Sequence, residues 1–151
     1  MVTVSACVLE EELRALREVA AARGWVLELR SETSFVLGMR ARDGSMFWLL
    51  VLCDRYPSVP SAWQWYNHET GAVNEAKDTP KGGGFFHGSG RICAPWNRFA
   101  YKSEDAMGPH SDWDLAAWPT NPKTGQCKSL AAMALRIYVE LQKASFAGRL
   151  A

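Results

Sequence analysis

The segment of this chain with the most chemical potential runs from residue 85 to 101 and holds one cysteine among glycines, arginines, aromatic residues and a histidine. Cys93 follows no strand or helix periodicity there, so we expect its side chain to face a cleft. The thiolate is the nucleophilic form of cysteine, and nearby cations raise its fraction at neutral pH. Candidate cations are His87, Arg91 and Arg98. The segment predicts a nucleophilic Cys93, with His87 either as its acid–base neighbour or as a turn histidine that bonds to the backbone.

Length and composition indicate one globular domain spanning residues 1–151. Hydrophobic residues make up 48% and charged residues 22%, and the net charge is +1. Such a balance gives no strongly basic surface, so we expect no nucleic-acid partner. The longest apolar run, residues 46–53, is too short to cross a membrane. No signal-peptide pattern is visible and the four cysteines lack metal or disulfide spacing, so we expect a reduced, cytoplasmic protein.

The elements that would position Cys93 can be predicted from periodicity. Leu9, Leu13, Leu16 and Ala20 repeat at helical spacing, and this first helix ends near Gly24. Four strands follow, at residues 25–30, 34–39, 46–53 and 62–66. A tight turn at Asp43-Gly44 joins the second and third strands, and the near-continuous apolar third strand is expected to be central and covered on both faces.

The second half of the chain is predicted to be mainly irregular until its last helix. Residues 67–84 form a loop that leads into the Cys93 segment, and residues 111–118 are expected to begin a short helix. The strongest helix is predicted at residues 129–144. The fold class is therefore α+β: an N-terminal helix, a four-stranded antiparallel meander, an active-site loop and C-terminal helices.

Three motifs, in this order, resemble those of the ubiquitin-conjugating enzyme (UBC-like) family. Residues 56–60 read Tyr-Pro-Ser-Val-Pro, similar to that family's Tyr-Pro turn, although Ser61 replaces the second consecutive proline. Residues 90–93 read Gly-Arg-Ile-Cys, similar to its active-site segment, and the closing helix begins at Ser129. The whole looks most similar to the bacterial branch from ubiquitin-like conjugation operons, some of which serve antiviral defence.

The resemblance implies a function and a set of partners. Cys93 would carry a ubiquitin-like modifier as a thioester, loaded by an adenylating activating enzyme and passed to a target, with or without a ligase. Thiolates suit this because they are both good nucleophiles and good leaving groups. No metal or organic cofactor is implied. Arg14 and Arg17 on the first helix would dock the activating enzyme, or would simply be solvated charges.

The chain also departs from the family pattern. The family's His-Pro-Asn tripeptide corresponds here to His87-Gly88-Ser89, so its asparagine is missing. Asn97 or backbone N–H groups are the alternative oxyanion donors. Asp112 and Asp114 are both candidates for the family's acidic substrate-orienting residue, and no motif decides between them. Asp112 is equally a candidate N-cap of the predicted short helix. We interpret His110 first as a turn residue before that helix, with a catalytic role as the alternative.

Two other functions stay open at this point. One is a non-catalytic UBC-like binding module. The other is a metal-binding accessory protein that gathers ligands from distant loops, since the ligand types are present but no pair has zinc-site spacing. Its candidate ligands are His68, His87, Cys93 and His110, with Cys53 or Glu69.

Overall fold

The computed structural model describes residues 3–151 and has an α+β architecture. Its helices and strands are α1 (Val4–Arg23), β1 (Val26–Ser31), β2 (Ser34–Arg40), β3 (Met46–Leu52), β4 (Ala62–Tyr66) and α2 (Leu130–Gln142). The four strands form one antiparallel sheet in the order β1-β2-β3-β4, which confirms the predicted helix, meander and closing helix. No helix within residues 3–151 has the length and apolar character needed to cross a membrane.

Helix α1 has the ends that its sequence predicts. The Thr3 side chain caps its start by accepting a hydrogen bond from the Ala6 N–H. Gly24 ends it with φ +73°, a left-handed conformation that glycine adopts without strain. The face that carries Leu9, Leu16 and Ala20 is buried, so this helix packs on the core as the periodicity indicates.

The sheet differs from expectation in which strand is covered on both faces. On β3, Phe47, Leu49 and Val51 are buried, but the alternating positions are only partly covered. The residues of β2 from 35 to 39 are buried on both faces instead. The reason is Trp48, whose ring lies over Gly38 so closely that a Cβ there would be 2.6 Å from it. The apolar run of β3 therefore covers its neighbour rather than being covered itself.

A carboxylate joins three separate parts of the fold. The Glu12 carboxylate on α1 accepts a hydrogen bond from the Tyr56 hydroxyl at 2.7 Å and another from the Leu130 N–H at 2.8 Å. Trp118 adds a bond from its indole N–H to the Pro57 carbonyl at 3.0 Å. The Tyr-Pro turn is thus held between the first helix and the start of α2.

Between β4 and α2 the described chain has short 3-10 helices rather than further strands. They lie at Ala76–Asp78, Arg98–Ala100 and Trp118–Thr120. The short helix expected at residues 111–118 is wrong, because residues 111–117 form bends and turns. Asp112 consequently has no helix to cap.

Candidate active site

A hairpin-like turn positions Cys93. The Cys93 N–H donates to the Phe85 carbonyl at 2.8 Å. The next residues toward the turn, Phe86 and Ile92, form an antiparallel β-bridge. Gly90, with φ +88°, allows the chain to reverse between them. Ile92 is fully buried. The backbone of Cys93 is therefore anchored, while its side chain is half-buried and reaches a cleft.

Asn97 fixes the segment that follows the cysteine. It is fully buried, its carbonyl oxygen accepts the Trp63 N–H at 2.9 Å, and its amide group donates to the Ile92 carbonyl at 3.0 Å. These bonds tie the cysteine segment to β4. The amide that the sequence offers as an oxyanion donor is thus engaged with the backbone next to Cys93.

His110 reaches Cys93 from a second loop. The backbone N–H of His110 donates to the Ala100 carbonyl at 3.0 Å, and the backbone carbonyl of His110 accepts the Lys102 N–H at 2.8 Å. Gly108 makes this pairing sterically feasible, since a Cβ there would stand 2.7 Å from the Tyr101 carbonyl. The result is a distance of 3.1 Å between His110 Nε2 and Cys93 Sγ.

The imidazole of His110 is held on two further sides. Its Nδ1 lies 3.3 Å from Asp112 Oδ1, and its ring stacks on Trp113 with centroids 3.4 Å apart and planes 8° apart. With Nδ1–H donated to the carboxylate, Nε2 is the nitrogen that accepts the Cys93 proton. A thiol, an imidazole and a carboxylate thus lie in the order that can activate a nucleophile.

A cleft of about 240 Å³ opens beside the thiol. Its lining includes apolar and cationic side chains: Phe85, Ala94, Pro95, Trp96, Lys123 and Arg136. Burial raises the pKa of the Cys93 thiol, and the Lys123 ammonium opposes this by lowering it. The thiol therefore needs a base to become a nucleophile near neutral pH, and His110 is in position to be that base.

The two arginines that the sequence places near Cys93 have carboxylate partners. Arg91 pairs with Asp105 at 2.9 Å, and Arg98 pairs with Asp54 at 2.9 Å. The cation whose field acts on the thiol is Lys123, thirty residues further along the chain (123 − 93). The expected source of the positive field was wrong, because these arginines serve to hold loops.

The other candidate residues lie in different surroundings. His87 Nδ1 accepts the Ser89 N–H at 3.0 Å and lies 2.9 Å from the Ser89 hydroxyl, which is the turn arrangement. Arg14 and Arg17 are exposed on α1. The Asp112 carboxylate is exposed, and its hydrogen bond to His110 lowers the pKa of that carboxyl.

Of the proposed metal ligands, Cys93 and His110 are in contact. His68 instead stacks on Trp48 and bonds to Glu28. Across residues 3–151 no three histidine, cysteine, aspartate or glutamate side chains are grouped so as to hold a metal ion.

A turn role for His110 was preferred over a catalytic or metal-binding one, and its contact with Cys93 was not predicted. The two residues are 17 positions apart on different loops, and no periodicity reports such a contact. The available signal was local: a histidine and an aspartate two positions apart, in a segment opened by Gly108 and Pro109.

Comparisons with known proteins give no family for this chain. A scan against protein-family models found no matching model, and searches of curated proteins and of solved structures found no matching protein. Its function has to be inferred from its own residues and their geometry.

Proposed function

We propose that this chain is a ubiquitin-conjugating-like enzyme that carries a ubiquitin-like modifier as a thioester on Cys93. The observation that carries the proposal is the 3.1 Å contact between Cys93 Sγ and His110 Nε2 at the cleft. The order of helix, four-stranded meander, Tyr-Pro turn, cysteine loop and closing helix supports the UBC-like assignment. All four cysteines are free thiols, which accords with a reducing, cytoplasmic location.

The proposed loading step uses the contact between Cys93 and His110. His110 Nε2 takes the Cys93 proton, and the thiolate attacks the carbonyl carbon of the thioester that links the modifier to the activating enzyme. The tetrahedral intermediate then collapses, and the carbon–sulfur bond to the activating enzyme breaks. The departing thiolate of that enzyme takes the proton back from the His110 imidazolium. Asp112 stabilises the imidazolium in between.

The transfer step reverses the role of the cysteine. An amine or hydroxyl of the target attacks the Cys93 thioester, and Cys93 leaves as a thiolate. His110 accepts the proton that the attacking group loses and returns it to the sulfur. The site then holds Cys93 as a thiol again, so atoms and charges balance over one cycle.

A second candidate function is hydrolysis of thioester or peptide-like bonds. The specific observation that favours it is the third member of the arrangement, Asp112 Oδ1 at 3.3 Å from His110 Nδ1. Cysteine hydrolases use a histidine oriented in this way to activate both the thiol and, later, a water molecule. The two functions share the acyl-cysteine and differ in what attacks it.

A charging assay with the cognate activating enzyme, ATP and modifier tests the proposal. Wild-type chain should give a conjugate that thiols remove, Cys93→Ala should give none, and Cys93→Ser should give an ester that resists thiols. Cys127→Ala is the matched control, because Cys127 is also half-buried and its pKa is also raised by burial. Equal charging of wild type and Cys93→Ala would overturn the proposal.

The same assay separates the remaining functions. If the conjugate forms but returns free modifier in water as fast as it forms, the chain is a hydrolase. If no conjugate forms while the chain still binds the modifier or the activating enzyme, it is a non-catalytic binding module. Stoichiometric zinc in the purified protein, lost in His110→Gln, would instead establish the metal-binding function.

A further inference from the structure

The charge of the cleft beside Cys93 is positive. Lys123 and Arg136 are both among its lining residues, and no carboxylate is in that lining. A cationic lining would repel the ammonium group of a target lysine, since like charges repel. The cleft chemistry instead favours an anionic group next to the reacting thiol.

Lys123 supplies a full positive charge. Its ammonium makes no ion pair with a carboxylate among residues 3–151. It lies 6.0 Å from the centroid of the Trp113 ring, the same ring that stacks on His110. Its field lowers the pKa of Cys93 and of Asp112, so the charge acts on the site itself.

Arg136 is only partly neutralised. Its Nε bonds to Glu140 Oε1 at 3.0 Å, but the same oxygen also accepts the Lys143 ammonium at 2.7 Å. Two cations therefore share one buried carboxylate, which leaves one net positive charge in the group. The guanidinium lies 4.8 Å over the Phe85 ring at the cleft wall, and its side chain is 43% exposed.

We propose that Lys123 and Arg136 form a binding site for a carboxylate on the acyl donor, in the segment that adjoins the carbonyl attacked by Cys93. This inference rests on Cys93 being the nucleophile of the proposed function. Guanidinium groups match the two oxygens of a carboxylate, and an ammonium adds a compact charge. Donors with an acidic residue near the acyl end are preferred, and those with a basic residue there are disfavoured.

Charged thiol reagents test this without knowledge of the modifier. Sulfonatoethyl methanethiosulfonate is anionic and trimethylammonioethyl methanethiosulfonate is cationic. Each transfers its thioethyl group to a thiolate, forming a mixed disulfide and releasing methanesulfinate. The protein carries Cys7→Ser and Cys127→Ser, which leaves Cys93 and the buried Cys53, whose pKa burial raises to about 12. The rate of the anionic reagent with Cys93 is divided by that of the cationic reagent. This ratio is then divided by the same ratio measured with mercaptoethanol, which corrects for the intrinsic reactivity of the two reagents.

We expect the corrected ratio to favour the anion by about tenfold, as charge complementarity at a single site does. Lys123→Gln and Arg136→Gln should each lower it about threefold or more, and the double variant should bring it near one. Arg136→Lys should retain it. Lys102→Gln is the control, because it removes the same charge from an exposed lysine that is not among the lining residues of the cleft.

The outcomes separate this inference from the proposed function. If Cys93 reacts but its preference is unchanged in Lys123→Gln and Arg136→Gln, the carboxylate site is refuted and the nucleophile survives. A loss of preference in Lys102→Gln as large as in Lys123→Gln also refutes the site, since only overall charge would then matter. If Cys93 reacts with neither reagent, both the nucleophile and the site are refuted.

Discussion

Two histidines in this chain have nearly the same surroundings. His110 stacks on Trp113 with centroids 3.4 Å apart and bonds to Asp112. His68 stacks on Trp48 with centroids 3.9 Å apart and bonds to Glu28. Each imidazole thus lies flat on an indole and faces a carboxylate.

The difference between them lies in which nitrogens are used. His68 contacts both Glu28 oxygens through Nε2, at 3.0 and 3.2 Å. His110 contacts Asp112 through Nδ1, which leaves Nε2 for the thiol of Cys93 at 3.1 Å. His68, stacked and bound to a carboxylate, therefore contributes to packing on the outer face of the sheet. His110 has the same two contacts, but its second ring nitrogen also lies next to a thiol.

The largest difference should appear when each histidine is replaced. The readout is acylation of Cys93 by a synthetic peptide thioester that ends in glycine, in the form lacking Cys7 and Cys127. His110→Gln should slow acylation about 100-fold near neutral pH, the usual loss when a general base is removed. His68→Gln should leave the rate within about twofold. Equal acylation rates for His110→Gln and His68→Gln would contradict a special role for His110.

Replacing each carboxylate should give a smaller contrast. Asp112→Asn should slow acylation about tenfold or less, because the bond is 3.3 Å long and the Asp112 side chain is 77% exposed. Glu28→Gln should have no effect on the same rate. A KM change without a kcat change in Asp112→Asn would show that Asp112 binds the donor rather than orienting His110.

The thiol of Cys93 distinguishes the surroundings of His110 from those of His68. Its pKa can be measured from the pH dependence of its alkylation by iodoacetamide, a neutral reagent. Because burial raises the pKa of Cys93, the rate should climb with pH through a midpoint above the ordinary value for cysteine. Lys123→Gln removes the charge that lowers this pKa, so its midpoint should lie higher and its rate near neutral pH should be about threefold lower. A midpoint well below the ordinary value would mean that a thiolate–imidazolium pair exists at rest.

The smallest contrast concerns the two stacked indoles. Trp113→Phe should slow acylation about two- to threefold by loosening His110, since one aromatic contact contributes about 1 kcal/mol. Trp48→Phe should leave acylation unchanged but lower the free energy of unfolding by about 1 kcal/mol, because the Trp48 ring covers Gly38. Urea unfolding measures the second effect.

The sequence allowed the regular half of the fold to be predicted and only part of the site. Helix α1, the strand order and α2 follow from apolar spacing and from Gly24. These signals are local, which is why they can be read along one chain. Cys93 was identified for the same reason, because its motif lies in one segment.

The rest of the site depends on contacts between loops. His110 contacts Cys93 and Lys123 lines the same cleft, and both come from separate loops. Residues 67–129 contain little periodic pattern from which to infer this arrangement. Arg91 and Arg98 are close to Cys93 in sequence, yet they form ion pairs with Asp105 and Asp54. The local motif allowed Cys93 to be proposed as a nucleophile, but proximity in sequence did not predict the residues around its thiol.

We propose above all that Cys93, with His110 as its base, accepts an acyl group. The most direct measurement is the intact mass of the chain lacking Cys7 and Cys127 after mixing with the glycine-terminated peptide thioester. We expect one acyl group per chain, removable by thiols and absent in Cys93→Ala. Acylation of Cys93→Ala to the same extent as the parent chain would contradict it.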